Sequence, residues 1–130
     1  MRKALAVSLS CLFLAVIAGV SSGDDDLRRK AEALWAGRED LAKASDAVSA
    51  FEALLKDSPN DYETLLRLSR LHYWIGQILE PARESDAIAH YVKGREYGHR
   101  AAAAAPERPG GYFFEAANLG RENILKGKFK

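Results

Sequence analysis

A single cysteine, Cys11, and three histidines leave this 130-residue chain few groups for thiol or metal chemistry. Cys11 falls inside an apolar leader, so removal of that leader takes the last thiol with it and excludes disulfides, thiol catalysis and cysteine metal sites. An excess of either charge is also lacking. There are 19 basic and 18 acidic residues, and without Arg2 and Lys3 the basic count falls to 17. That balance offers no grip to nucleic acid or to an anionic membrane. No glycine-rich loop of nucleotide-binding form follows a strand, and no paired Ser and His marks a nucleophile activated by a base. Carboxylates alternate with Arg and Lys, as in Arg38-Glu39-Asp40, Arg83-Glu84 and Arg95-Glu96, which describes solvated helix faces better than acid and base pairs. Asp86 and His90, at i and i+4, would share a helix face as two metal ligands, but spacing supplies no third. The chain is therefore expected to be non-enzymatic, with no metal and no cofactor.

What is present begins with the leader. Arg2 and Lys3 precede an apolar run of 17 residues, Ala4 to Val20, and then come Ser21, Ser22, Gly23 and three aspartates. This is the order of a secretory signal, with cleavage after Ser22 or Gly23. Residues 1–23 are thus expected to be a signal peptide and 24–130 the mature domain, periplasmic or secreted and without stable membrane insertion. An uncleaved anchor is the competing reading, since 17 residues sit at the short end of what crosses a bilayer. Lipid attachment at Cys11 would leave the apolar residues that follow it exposed.

The mature chain reads as helices throughout, in one compact domain. Asp24, Asp25 and Asp26 place carboxylates at the positive end of a first helix from Leu27 to Arg38. Leu41, Ala44, Val48, Phe51 and Leu55 recur at steps of three and four and line one face of a second, from Asp40 to Lys56. A third is expected to start at Asn60 or Asp61, since Asn60 with Glu63 has the spacing of a capping pair; on it Leu65, Leu68, Ser69 and His72 share a face and Gly76 is the expected stop. Pro81 suits the first turn of a fourth helix, 81–105. Within it Gly94, Gly98, Ala101 and Ala105 form a smooth stripe for a closely packed neighbour; two interior glycines cost roughly 1 kcal/mol each, which close packing would offset. A last amphipathic segment runs from Tyr112 to Ile124, before the basic tail of Lys126, Lys128 and Lys130.

Helix pairs that cannot bury their faces alone stack as repeats. The segment Ala47 to Pro59, with Phe51, Leu54 and Asp57, resembles the second half of a tetratricopeptide repeat, and Gly94 to Pro106 is its counterpart. Pro59 and Pro106 lie 47 residues apart, against about 34 in a standard repeat, so the second unit carries roughly 13 extra residues. Trp35 stands where a small residue is usual. The expected fold is all-α, with antiparallel helix pairs stacked as a short tetratricopeptide-like solenoid. The stretch with Tyr91, Lys93 to Gly98, Arg100-Ala101 and Ala116 to Arg121 resembles exported bacterial proteins related to the T-component of TRAP-type transporters. That resemblance implies a non-catalytic scaffold whose partner is a protein, in particular a periplasmic solute-binding protein.

Binding is expected from the aromatic residues, too many for so small a core. Tyr73 and Trp74 close the third helix, and Tyr112 and Phe113, with Phe114, open the last; an apolar patch for a partner accounts for some of them. Asn118 and Arg121 are added as placed polar groups in a groove. The alternative is an apolar small molecule held between helices. An incomplete last unit also makes homo-oligomer formation an expectation, since an uncapped stack exposes an apolar face.

Overall fold

Aspartates and prolines set the helix boundaries. The computed structural model describes residues 22–127. They form five helices: α1 Ser22–Ala36, α2 Leu41–Asp57, α3 Tyr62–Leu79, α4 Glu84–Ala104 and α5 Pro109–Leu125. The fold is all-α, with no strand among the described residues. Most of the expected signal segment (residues 1–21) and the end of the basic tail (residues 128–130) lie outside the described residues; Ser22 and Gly23 begin α1. No helix among the described residues is long and apolar enough to cross a membrane.

Asp40 caps α2, its carboxylate accepting the Lys43 N–H at 3.0 Å. Asp61 caps α3 and accepts from the Thr64 N–H at 3.0 Å and from the Thr64 hydroxyl at 2.5 Å. The Asn60 and Glu63 pair is therefore not the cap: Asn60 falls one residue outside it, and Glu63 pairs with Arg108 at 2.7 Å. Asp61→Ala should cost about 1 kcal/mol, the usual worth of such a cap, read as a lower urea midpoint with unchanged helical content. Pro109 opens α5, where its missing N–H leaves no bond unmade.

Gly76 and Pro81 depart from expectation together. Gly76 does not stop α3, which continues to Leu79. A Cβ at Gly76 would stand 2.6 Å from the Tyr91 ring, so this glycine gives that ring room. Pro81 then lies in the turn after α3, and α4 starts only at Glu84, with Arg83 N–H bonded to the Leu79 carbonyl at 2.7 Å.

Residue pairing gives the helix directions. Across α3 and α4, Ser69 meets Gly94 and His72 meets His90, so one number rises as the other falls and the two helices are antiparallel. Across α4 and α5, Gly94, Gly98 and Gly111 face Asn118, Glu115 and Ala102, again antiparallel. Arg28 to Asp61 and Arg67 to Glu32 show α1 and α3 parallel, and Arg108 to Glu63 and Arg121 to Glu80 show the same for α3 and α5. Thus α1, α3 and α5 run one way. Helix α3 packs on α2, α4 and α5 and is the centre of the molecule. It buries Leu65, Leu68, Leu71 and Ile75 against Phe51 of α2 and Tyr91 of α4, each worth roughly 1.5–3 kcal/mol. The Gly94 and Gly98 stripe brings α4 against α5, as its spacing predicts.

Candidate functional site

Two helix stripes and one ring build the site. On α3, Arg67, Arg70 and Trp74 follow one another at i, i+3 and i+7, which places them on one face. The turn after α1 supplies Arg38, one turn beyond Trp35. The Arg38, Arg67 and Arg70 guanidiniums lie 4.4, 4.3 and 4.7 Å from the Trp35 ring centre. Arg38 also reaches the Trp74 ring at 5.3 Å, and Arg70 the Phe114 ring of α5 at 5.4 Å. All six side chains are half-buried, a setting in which each cation over an aromatic face contributes about 0.5–2 kcal/mol.

Charge in the cluster is unbalanced. Glu32 bridges Arg67 at 3.1 Å, and Arg38 donates to the Trp35 carbonyl at 3.1 Å. The Arg70 side chain makes no hydrogen bond to any described residue. Burial, followed by the charges of Arg67 and Arg38, lowers its pKa from the ordinary arginine value; a guanidinium nevertheless stays protonated. Of the three cations, only Arg67 is paired with a carboxylate among the described residues.

The expected binding residues separate into two groups. Trp74 belongs to the cluster, its indole N–H buried without an acceptor. Tyr73 meets Phe114 edge-on at 6.3 Å, and Phe113, 65% exposed, meets it at 5.0 Å. Tyr112, although 50% exposed, lines a recess with His99, Ala102 and Pro106, and its hydroxyl donates to the Pro106 carbonyl at 3.1 Å. Arg121 is paired with Glu80, which also accepts from the Tyr91 hydroxyl at 2.8 Å, so it ties α5 to the end of α3. Asn118 is fully buried and offers no donor at a surface. Its amide donates to the Phe114 carbonyl at 2.8 Å, and its oxygen fills the space left by Gly94. The glycines of α4 let α5 come close enough to enclose it. Of the cluster, Arg38 reads from the sequence as part of a solvated face and Trp35 only as a departure from the repeat, while Arg67 and Arg70 carry no assigned role; the signal that marks these two is the i, i+3, i+7 run ending in Trp74.

A second polar contact joins α3 and α4. His72, 2% exposed, and His90 hold their Nδ1 atoms 2.9 Å apart, one donating and one accepting. His72 also stacks on Tyr97, with ring centres 5.6 Å apart. Asp86 turns from His90 to Arg83, 2.6 Å away. Among the described residues no three His, Cys, Asp or Glu side chains converge as a metal would require. His90 edges a cleft of about 290 Å³ with Leu41, Ser45, Ile75 and Asp86. Another recess, about 520 Å³, has charged walls of Arg95, Glu96, His99, Arg100 and Glu115.

Comparison with protein-family models, with curated proteins and with solved structures finds no match to this chain.

Proposed function

We propose that this protein is a non-catalytic interaction scaffold of tetratricopeptide-like build, working in the periplasm or its equivalent, and that it captures a protein partner on the face shared by α1, α3 and α5. The alternation of helix directions supports the repeat reading, since alternate helices of a stacked array run parallel and present one continuous surface. The observation that carries the functional reading is the cluster itself. Trp35 and Trp74, the chain's two tryptophans, are joined by Arg38 on a face flanked by exposed Phe113. Tryptophan and arginine dominate the energetics of protein interfaces, and a half-buried aromatic face is already partly ordered before a partner arrives. The resemblance to transporter T-components makes a periplasmic solute-binding protein the first partner to test.

The test is crosslinking in the native envelope followed by affinity capture, with wild type and Trp74→Ala in parallel. A solute-binding protein should co-purify in fixed ratio with wild type. Its yield should drop at least tenfold with Trp74→Ala while the circular dichroism spectrum keeps its helical signal. Equal recovery by the variant would remove this face from the docking surface.

A further inference from the structure

We propose that Arg38, Arg67 and Arg70 form a carboxylate seat, and that its occupant is an acidic peptide segment of the partner protein; this rests on the scaffold reading above. The argument starts from charge complementarity. Arg67 already has Glu32, at 3.1 Å, whereas no carboxylate pairs with Arg38 or Arg70 among the described residues. These guanidiniums lie over the rings of Trp35, Trp74 and Phe114. Contact with a ring through Cζ is not a hydrogen bond and uses none of the guanidinium N–H groups, and a carboxylate matches that fork of donors with two parallel bonds. Arg70 makes no such bond within the described residues, so its donors are spare.

Holding three like charges together works against folding unless something else gains from it. Burial and the neighbouring Arg67 and Arg38 push the Arg70 pKa down, which is the signature of an arrangement that an incoming anion would relieve. A neutral side chain would fill the same space with less repulsion. The occupant is a peptide because the cations are set among rings: Trp35, Trp74 and Phe113 give an extended segment apolar contacts on either side of its acidic groups, which an inorganic anion would leave unused.

Both tryptophans lie in the seat, so the intrinsic emission of the full chain reports occupancy directly. The probe is an acetylated, amidated decapeptide of glutamates around a central leucine; its control has lysine for every glutamate. The acidic peptide should shift the emission saturably. Raising salt from about 0.1 to 1 M, which shortens the screening length from about 10 to 3 Å, should weaken it severalfold. Arg70→Gln should lose at least tenfold in affinity. Arg29→Gln, an exposed arginine paired with Asp26, should bind as wild type does.

Several results would overturn the seat: no emission change at millimolar peptide, equal binding by Arg70→Gln, or equal binding of the lysine peptide. A wild-type dimer in sedimentation that Arg70→Gln dissociates would make a second copy the occupant instead. The two readings fail separately. Partner capture lost in Trp74→Ala but kept in Arg70→Gln keeps the scaffold and removes the seat, whereas peptide binding with capture insensitive to both variants keeps the seat and removes this face as the docking surface.

Discussion

Replacing Gly98 by alanine should destabilise the protein by about 2 kcal/mol, although alanine is the better helix former by roughly 1 kcal/mol. The new Cβ would stand 2.6 Å from the Glu115 nitrogen and 2.9 Å from its Cα. Those are backbone atoms, which cannot swing aside as a side chain tip can. Helices α4 and α5 would have to separate, and the Gly111 to Ala102 contact, equally close, would open with them. Gly120→Ala is the matched control: nothing lies within 4 Å of its Cβ, so the propensity gain of up to about 1 kcal/mol should appear undiminished. Urea midpoints of the two variants should therefore move in opposite directions. A Gly98→Ala protein as stable as wild type would mean that the α4–α5 contact is looser than the glycine stripe implies. Gly94→Ala differs in kind, since its Cβ meets the Asn118 side chain. Adding Asn118→Ala to it should recover part of the loss.

The second large effect is a pH dependence set by the His72 and His90 pair. Burial, then the neighbouring His90 and Lys93, pushes the His72 pKa from 6.5 to about 3. His90 is lowered in the same direction, first by burial and then by Lys93, with Arg83 lowering and Asp86 raising it. Both pKa values are depressed in the folded state, so below 6.5 the unfolded chain binds protons that the folded one does not. Stability is then full above the unfolded value and falls as the pH drops below it. At ~1.4 kcal/mol per unit, His72 alone accounts for a loss on the order of 3 kcal/mol by about pH 4.5. The salt-bridged carboxylates Glu80 and Glu122 also have lowered pKa values. Their contribution is lost only as the pH falls below the ordinary carboxylate value of 4.5, so the two windows are separate. Urea midpoints measured between about pH 4.5 and 7.5 should slope upward in wild type. His72→Gln, which keeps a hydrogen-bonding group opposite His90, should flatten most of that slope; an unchanged slope would assign the effect to other groups.

Much of this molecule is written locally. Helix faces follow from spacing, because a helical period is a property of neighbours three and four apart: Leu65, Leu68, Ser69 and His72 are all buried, and Ala44, Phe51 and Leu55 likewise. The stripe of Gly94 and Gly98 is legible for the same reason, as a regular absence of side chains. Errors arose where one local signal has two physical uses. Gly76 serves equally as a helix end or as a space for a ring, and only the position of Tyr91 decides between them. Asn118 is a polar residue on an amphipathic helix, and its burial depends on how closely α4 approaches. Asn60 and Asp61 both cap well by chemistry; Asp61 also stands 3.7 Å from Arg28, a partner from another helix.

The helical character of residues 22–127, the faces of the helices and the near balance of charge are all legible before folding, since each depends on composition or on residues within two turns of one another. Which of the solvated-looking charges are partly buried depends instead on how the helices pack. Arg38 is separated from Arg67 and Arg70 by a whole helix and two turns, and their meeting over Trp35 depends on α1 and α3 running parallel. Helix packing likewise decided that His72 and His90 share a hydrogen bond and that Asn118 lies in the interior. Helical spacing records what one segment places on each of its faces; it carries no measure of the distance between two segments, and that distance sets every electrostatic and packing energy at the site.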